Sequence, residues 1–173
     1  MAKIPIPAFL SHLKVTDKGY PIPYFVAYVD GKPDFRLLDP QKQVRCADMF
    51  LCGICGKKLF KKAYYFISGP QGYTNKISTD PAMHRECAEY SLNACPHLHI
   101  QKTVRREKGL ERLHEEQSDW MADKPETMLL VKCDKYKRIM PDKPGLWLIS
   151  FRPISYETYV YENGELVKSL MPA

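Results

Sequence analysis

Apolar positions along this chain fall into short β-type groups separated by turn-forming residues, with one longer helical run between them. In YPIPYFVAYVDGKPDFRLLDP, residues 20 to 40, Phe25 to Val29 is apolar and β-prone, Asp30-Gly31 is a tight-turn dipeptide, and Phe35 to Leu38 returns. The stretch predicts a β-hairpin closed by Pro40. QKQVRCADMF follows as a short helix, and KKLFKKAYYFISGP predicts one or two strands broken by Gly69-Pro70, with the loop QGYTNK beyond. In STDPAMHRECAEYSLNAC, Asp80 suits a helix N-cap and Pro81 the first helical position, where its missing N–H costs nothing. That helix meets no breaker before Pro96. Residues 103–123 are rich in helix formers and in charges of both signs, the pattern of an exposed helix or connector interrupted near Gly109. The tail returns to strand at Thr127 to Cys133 and at Gly145 to Phe151, bridged by the turn-rich DKYKRIMPDKP. SYETYVYENGELVKSL predicts a second hairpin: Tyr156, Thr158 and Val160 alternate with Glu157, Tyr159 and Tyr161, and Asn163-Gly164 is a type I′ dipeptide.

At 173 residues and 45% hydrophobic, the chain is long enough for one sizeable core. Its longest apolar runs, such as Met128 to Val131, are far too short to span a bilayer. MAKIPIPAFLSHLK has prolines at 5 and 7 and no continuous apolar stretch, so it does not read as a signal peptide and a cytoplasmic location is expected. In that compartment six cysteines suit metal ligands or core thiols better than disulfides. The net charge of +6 sits in the first third: residues 1–65 hold 11 Lys/Arg against 5 Asp/Glu, and the bias ends on Lys57, Lys58, Lys61 and Lys62. Such a bias suits an acidic partner such as DNA or RNA, or a merely solvated basic face.

The cysteine spacing carries the sharpest chemistry. Cys52-x2-Cys55-Gly56 has the shape of a zinc knuckle, a tight turn that aims two thiolates at one ion. His84 and Cys87 in MHREC are three apart, so they share one face of the helix, in its first turn, where the dipole favours thiolate. Knuckle, β-hairpin and a helix supplying the second ligand pair make a treble-clef arrangement. Cys52, Cys55, His84 and Cys87 then offer one structural Zn²⁺ four protein ligands and leave no open position. Cys95, His97 and His99 in ACPHLHI offer a second site with Cys46 or Cys133, against the plainer reading of core thiols and loop histidines. The expected fold is α+β: antiparallel strands and hairpins, one main helix and an inserted treble-clef-like zinc unit. Its parts are a hairpin region over 1–45, the zinc unit over 46–100, the charged connector over 101–125 and the C-terminal strands over 126–173, together one compact domain.

Around MHRECAEYSLNACPHL the sequence resembles a family of uncharacterised bacterial and phage proteins. The shared pattern appears here as Cys52 to Gly56, Gly69-Pro70, Asn75-Lys76, Pro81 to Ala88, Cys95-Pro96, a DGKPDFRLLDP-like hairpin and the pair Arg105-Arg106. The resemblance covers roughly residues 20–108. It implies the metal site and the domain layout, and no activity, since that family has no established function. His97 and His99 lie outside the shared pattern.

A treble clef also underlies HNH-type nucleases, which need a general-base histidine on the hairpin after the knuckle. The histidines are His12, His84, His97, His99 and His114, and none lies between Gly56 and His84. P-loop, GxGxxG and GxSxG motifs are absent as well. The expectation is a non-enzymatic zinc protein that acts as a nucleic-acid-binding or regulatory accessory factor. Its contacts would be Lys57, Lys58, Lys61, Lys62, Arg105 and Arg106, with Tyr64, Tyr65 and Phe66 interleaved or else simply core. A protein-binding adaptor with a purely structural zinc, using the same surface or an exposed sheet edge, stays open beside it.

Overall fold

The computed structural model describes residues 4–60, 63–101, 124–139 and 148–170. The elements follow from local signals in most places. Asp30 and Gly31 both take positive φ, 49° and 75°, and join β1 (Val26–Val29) to β2 (Lys32–Leu38) as the expected hairpin. Pro40 does more than close it. Asp39 caps the next helix by accepting from the Gln41 and Lys42 amides, and Pro40 is its first residue, so α1 runs Pro40–Met49. Gln43, Cys46 and Ala47 form the buried face of α1, and the Gln43 amide donates to the Thr79 carbonyl.

Strand β3 (Tyr64–Ser68) ends at Gly69, and Pro70 starts a short helix, α2 (Pro70–Asn75), where the sequence suggested a loop. Lys76, left-handed at φ 57°, leads into β4 (Ile77–Ser78). The following helix, α3, starts at Arg85 and not at Pro81. Met83 pairs through both backbone groups with Tyr65, at 3.1 and 2.8 Å, and the Ala82 carbonyl accepts from the Gly53 amide. These bonds hold residues 81–83 extended and delay the helix. It runs Arg85–Ala94, followed by the one-turn α4 (Pro96–His99).

The main sheet is antiparallel, in the order β3-β5-β6-β4, with β7 (Glu165–Lys168) also on β6. Strand β5 spans Thr127–Ile139, so DKYKRI continues the strand and does not turn. Its partner β6 covers Leu148–Glu162. Two compensating bulges sit mid-ladder, around Pro153 on β6 and Asp134 on β5, and the register on either side is the same. Proline has no ladder amide to give, and a bulge is where a sheet tolerates it. Asn163-Gly164 forms the expected turn, with φ of 52° and 83°, between β6 and β7.

The fold is therefore mixed α+β with antiparallel sheets, as expected, although α1 equals α3 in length. Met128 to Val131 is buried on both faces of β5. Those residues, with Phe66, Ile149, Phe151, Leu92 and Met83, make one core that also contains Cys52, Cys55 and Cys87. The two strands between the knuckle and α3 do not pair with each other: β3 joins β5 and β4 joins β6. The hairpin of the expected treble clef is thus replaced by two separate attachments to the large sheet. Residues 102–123, which hold the charged connector with Arg105, Arg106 and His114, lie outside the described residues. Among those described, no helix is long and apolar enough to cross a membrane.

Candidate metal centre

The knuckle is built by backbone bonds around a short antiparallel bridge between Leu51 and Lys58. The Cys52 amide donates to the Lys57 carbonyl and the Gly56 amide to the Cys52 carbonyl, both at 2.8 Å, which folds Cys52 and Cys55 onto the same side. Gly56 takes φ +71°, and a Cβ there would meet the Tyr24 ring at 3.0 Å, so this position needs glycine on two counts. The chain before β1 clamps the outside of the turn. The Tyr24 and Phe25 amides donate to the Ile54 and Gly53 carbonyls. His12 Nε2 donates to the Cys55 carbonyl at 2.9 Å, a contact between positions 43 residues apart that no local pattern announces.

The other two ligands come from the start of α3. His84 is the N-cap residue, with extended backbone (φ −67°, ψ 154°), and Cys87 lies three residues on, inside the first turn. Extended geometry at His84 turns its Nδ1 toward the sulfurs, 3.4 Å from Cys55 Sγ and 3.9 Å from Cys87 Sγ. One ligand atom from each of Cys52, Cys55, His84 and Cys87 lies within 4.8 Å of all the others. A tetrahedral zinc site with ordinary bond lengths has edges of roughly 3.6–3.8 Å. The four groups therefore surround a space sized for one ion, and the cluster can hold a metal.

The imidazole is oriented for that role. His84 Nε2 donates to the Lys58 carbonyl at 3.0 Å, and since a carbonyl can only accept, the proton belongs on Nε2 and Nδ1 is left as the ligand atom. The electrostatics bear on the charge the cluster needs. Hydrogen bonds to Cys52 and then Cys87 hold the Cys55 thiol far below the ordinary thiol range, against its burial. Hydrogen bonds to Cys52 and Cys55 push His84 up to about 10, against desolvation. The same two cysteines, with burial, drive Cys87 upward. Three sulfurs this close cannot all ionise unless positive charge sits among them. A divalent cation would supply it and free the imidazole to bind as the neutral base.

Cys46 and Cys133 behave as core thiols: both are fully buried, and burial first of all pushes each up to about 12. Cys95 is likewise raised by burial. His97 and His99 lie on α4 and not in a loop, and no second group of three or more metal-ligating residues forms among the described residues. Glu86 is exposed, and Glu89 is engaged by Arg85 at 2.8 Å.

Of the expected nucleic-acid contacts, Lys57 and Lys58 are exposed beside the knuckle. Lys61, Lys62, Arg105 and Arg106 lie outside the described residues. Tyr64 and Phe66 are buried core residues on β3, and Tyr65 is half-buried with the Arg85 guanidinium 5.8 Å from its ring centroid, so these three do not form a surface stack. The aromatic most exposed beside Lys57 and Lys58, among the described residues, is Phe60. Its one signal in the sequence was position, directly between two lysine pairs.

No family model, curated protein or solved structure matches this chain. Its functional reading stands on the geometry of the cluster and the surface beside it.

Proposed function

We propose that Cys52, Cys55, His84 and Cys87 hold one structural Zn²⁺ and that the protein is a non-enzymatic accessory factor that binds nucleic acid beside the knuckle. The single observation behind this reading is the four-ligand cluster, with Lys57 and Lys58 exposed directly after its knuckle. Three sulfurs and one imidazole gathered within 4.8 Å of one another favour zinc among the common divalent ions. Four protein ligands leave no position for a reacting water, which supports a structural role. The zinc fixes the turn, and the turn fixes where the lysine charges stand.

The test is metal content by elemental analysis on untagged protein, with a salt-dependent nucleic-acid titration on the same sample. One equivalent of zinc, with affinity falling steeply as salt rises, is the expected result. Zinc without binding would move the reading to a protein-binding adaptor. That second reading draws support from the β1–β2 ribbon, where Tyr28, Val29 and Phe35 are about half exposed. A metal-free protein that is folded and stable would overturn the zinc reading outright.

A further inference from the structure

Phe60 is 76% exposed, which is unusual for a phenylalanine in a region this well packed: its neighbour Leu59 is 3% exposed and fully part of the core. An aromatic ring left in water costs free energy unless something else covers it in use. The ring stands two residues beyond the Leu51–Lys58 bridge that closes the knuckle, 5.5 Å from the imidazole of His84. Lys58 Nζ is tied to the Met49 carbonyl at 2.7 Å and lies 6.0 Å from the Phe50 ring centroid, so its charge is held at the surface by a second half-exposed aromatic.

The charge along this part of the sequence is one-sided. From position 49 to position 79 the chain carries five lysines and no acidic residue. The surface of the knuckle therefore combines an exposed aromatic ring with the exposed lysines Lys57 and Lys58. A duplex buries its base faces in its own stack and offers phosphates and groove edges, whereas an unpaired strand offers phosphates and open base faces. We infer that Phe60 is a stacking platform for an unpaired base, and that the ligand of the knuckle is a single-stranded nucleic acid whose flanking phosphates meet Lys57 and Lys58. This inference rests on the nucleic-acid reading above and specifies its ligand.

The test measures fluorescence anisotropy with labelled oligo-dT, oligo-U and a duplex of matched length, using the zinc-loaded protein and the variants Phe60→Ala, Phe60→Leu, Phe60→Trp and Lys57→Ala/Lys58→Ala. Single strands should bind more tightly than the duplex. Phe60→Ala should weaken single-strand binding roughly five- to a hundredfold, the range for one base–aromatic stack, with metal content and melting temperature unchanged. Phe60→Leu keeps the bulk without the π face and should lose nearly as much. Phe60→Trp should restore binding and show quenched emission on addition of strand, read as the difference from parent protein. Relative affinity for oligo-dT and oligo-U separates a DNA from an RNA ligand. If the lysine variant weakens binding while Phe60→Ala matches the parent, or if the duplex is preferred, the stacking inference is overturned and the basic surface stands. If no oligonucleotide binds, the nucleic-acid reading itself is overturned.

Discussion

Around Cys52 the chain turns within ten residues on the isolated bridge between Leu51 and Lys58, whereas β5 and β6 pair, across two compensating bulges, from Thr127 opposite Val160 to Ile139 opposite Leu148. The sheet is ordered by a long ladder and by side chains such as Leu130, Val131 and Ile149, which have almost no exposed surface. The knuckle also buries its cysteines, but what it gathers is three sulfurs and an imidazole, groups that repel or share protons until a cation joins them. One region is stabilised by water leaving apolar surface. If the proposed zinc is bound, the other depends on an ion as well, and its stability should follow metal and chelator more closely than that of the β5–β6 ladder.

The largest effect expected comes from taking the ion's ligands away. Cys52→Ala with Cys87→Ala should abolish metal binding and unfold the middle of the chain, since structural zinc contributes folding free energy on the order of 10 kcal/mol in small sites. Hydrogen exchange should then show residues 50–59 and 81–88 losing protection before the β5–β6 amides do. A double variant that keeps its metal and melts like the parent would remove the basis of the comparison. Because Phe66 and Cys87 share one core, some loosening of β3 is expected as well.

Next in size is the core of the sheet. Phe66, without exposed surface, stacks on Phe151 at 4.9 Å and meets Tyr136 edge-on at 5.8 Å. Phe66→Ala should cost about 3–5 kcal/mol in a urea melt, from lost burial plus the cavity left behind. Folded molecules should still carry one equivalent of metal. A proportional loss of metal would show that the two regions fold as one unit.

Two glycines sharpen the contrast at smaller amplitude. Gly56 and Gly164 both have positive φ, but a Cβ at Gly164 would meet nothing within 4 Å while one at Gly56 would press on the Tyr24 ring. Gly164→Ala should cost about 1 kcal/mol, from the backbone alone, and leave metal affinity unchanged. Gly56→Ala should cost more and speed metal release to a chelator. Equal costs would mean that the Tyr24 clamp does not hold the knuckle in shape.

Much of this was readable in the sequence wherever the determinant is local. The spacings Cys52-x2-Cys55-Gly56 and His84-x2-Cys87 named the cluster, and Asp30-Gly31 and Asn163-Gly164 named both turns. What escaped depends on distant partners. Asp134 to Ile139 looks turn-like by composition, yet it is strand because Leu148 to Arg152 pairs with it. Asp80-Pro81 reads as a helix start, but Tyr65 and Gly53 hold residues 81–83 extended, and that extension is what aims His84 at the sulfurs. His12 and the Lys58 carbonyl carry no sequence signal at all, since their roles exist only once the turn has closed.

The smallest predicted effect tests the join between the two regions. Arg85, the first residue of α3, reaches Glu157 on β6 at 2.6 Å, and Lys168 on β7 reaches the same carboxylate at 2.8 Å. Burial acts to raise the Glu157 pKa, but Lys168 and Arg85 outweigh it and the net shift is downward from 4.5. Arg85 is in turn held by Glu89, and Tyr159 lies near enough to feel the charge. A carboxylate with a depressed folded-state pKa adds stability at pH values above its unfolded value and loses it as pH falls through the folded one. Glu157→Gln should therefore destabilise the protein by about 1 kcal/mol or less near neutrality, the pair being partly exposed. The gap from the parent should close as pH drops below 4.5. Acid also displaces a thiolate-bound metal, so the comparison must be made between Glu157→Gln and parent at each pH, where that loss is common to both. A gap that persists unchanged in acid would show that the side chain holds α3 to the sheet by packing and not by charge. The metal region and the sheet would then be joined by the shared core alone.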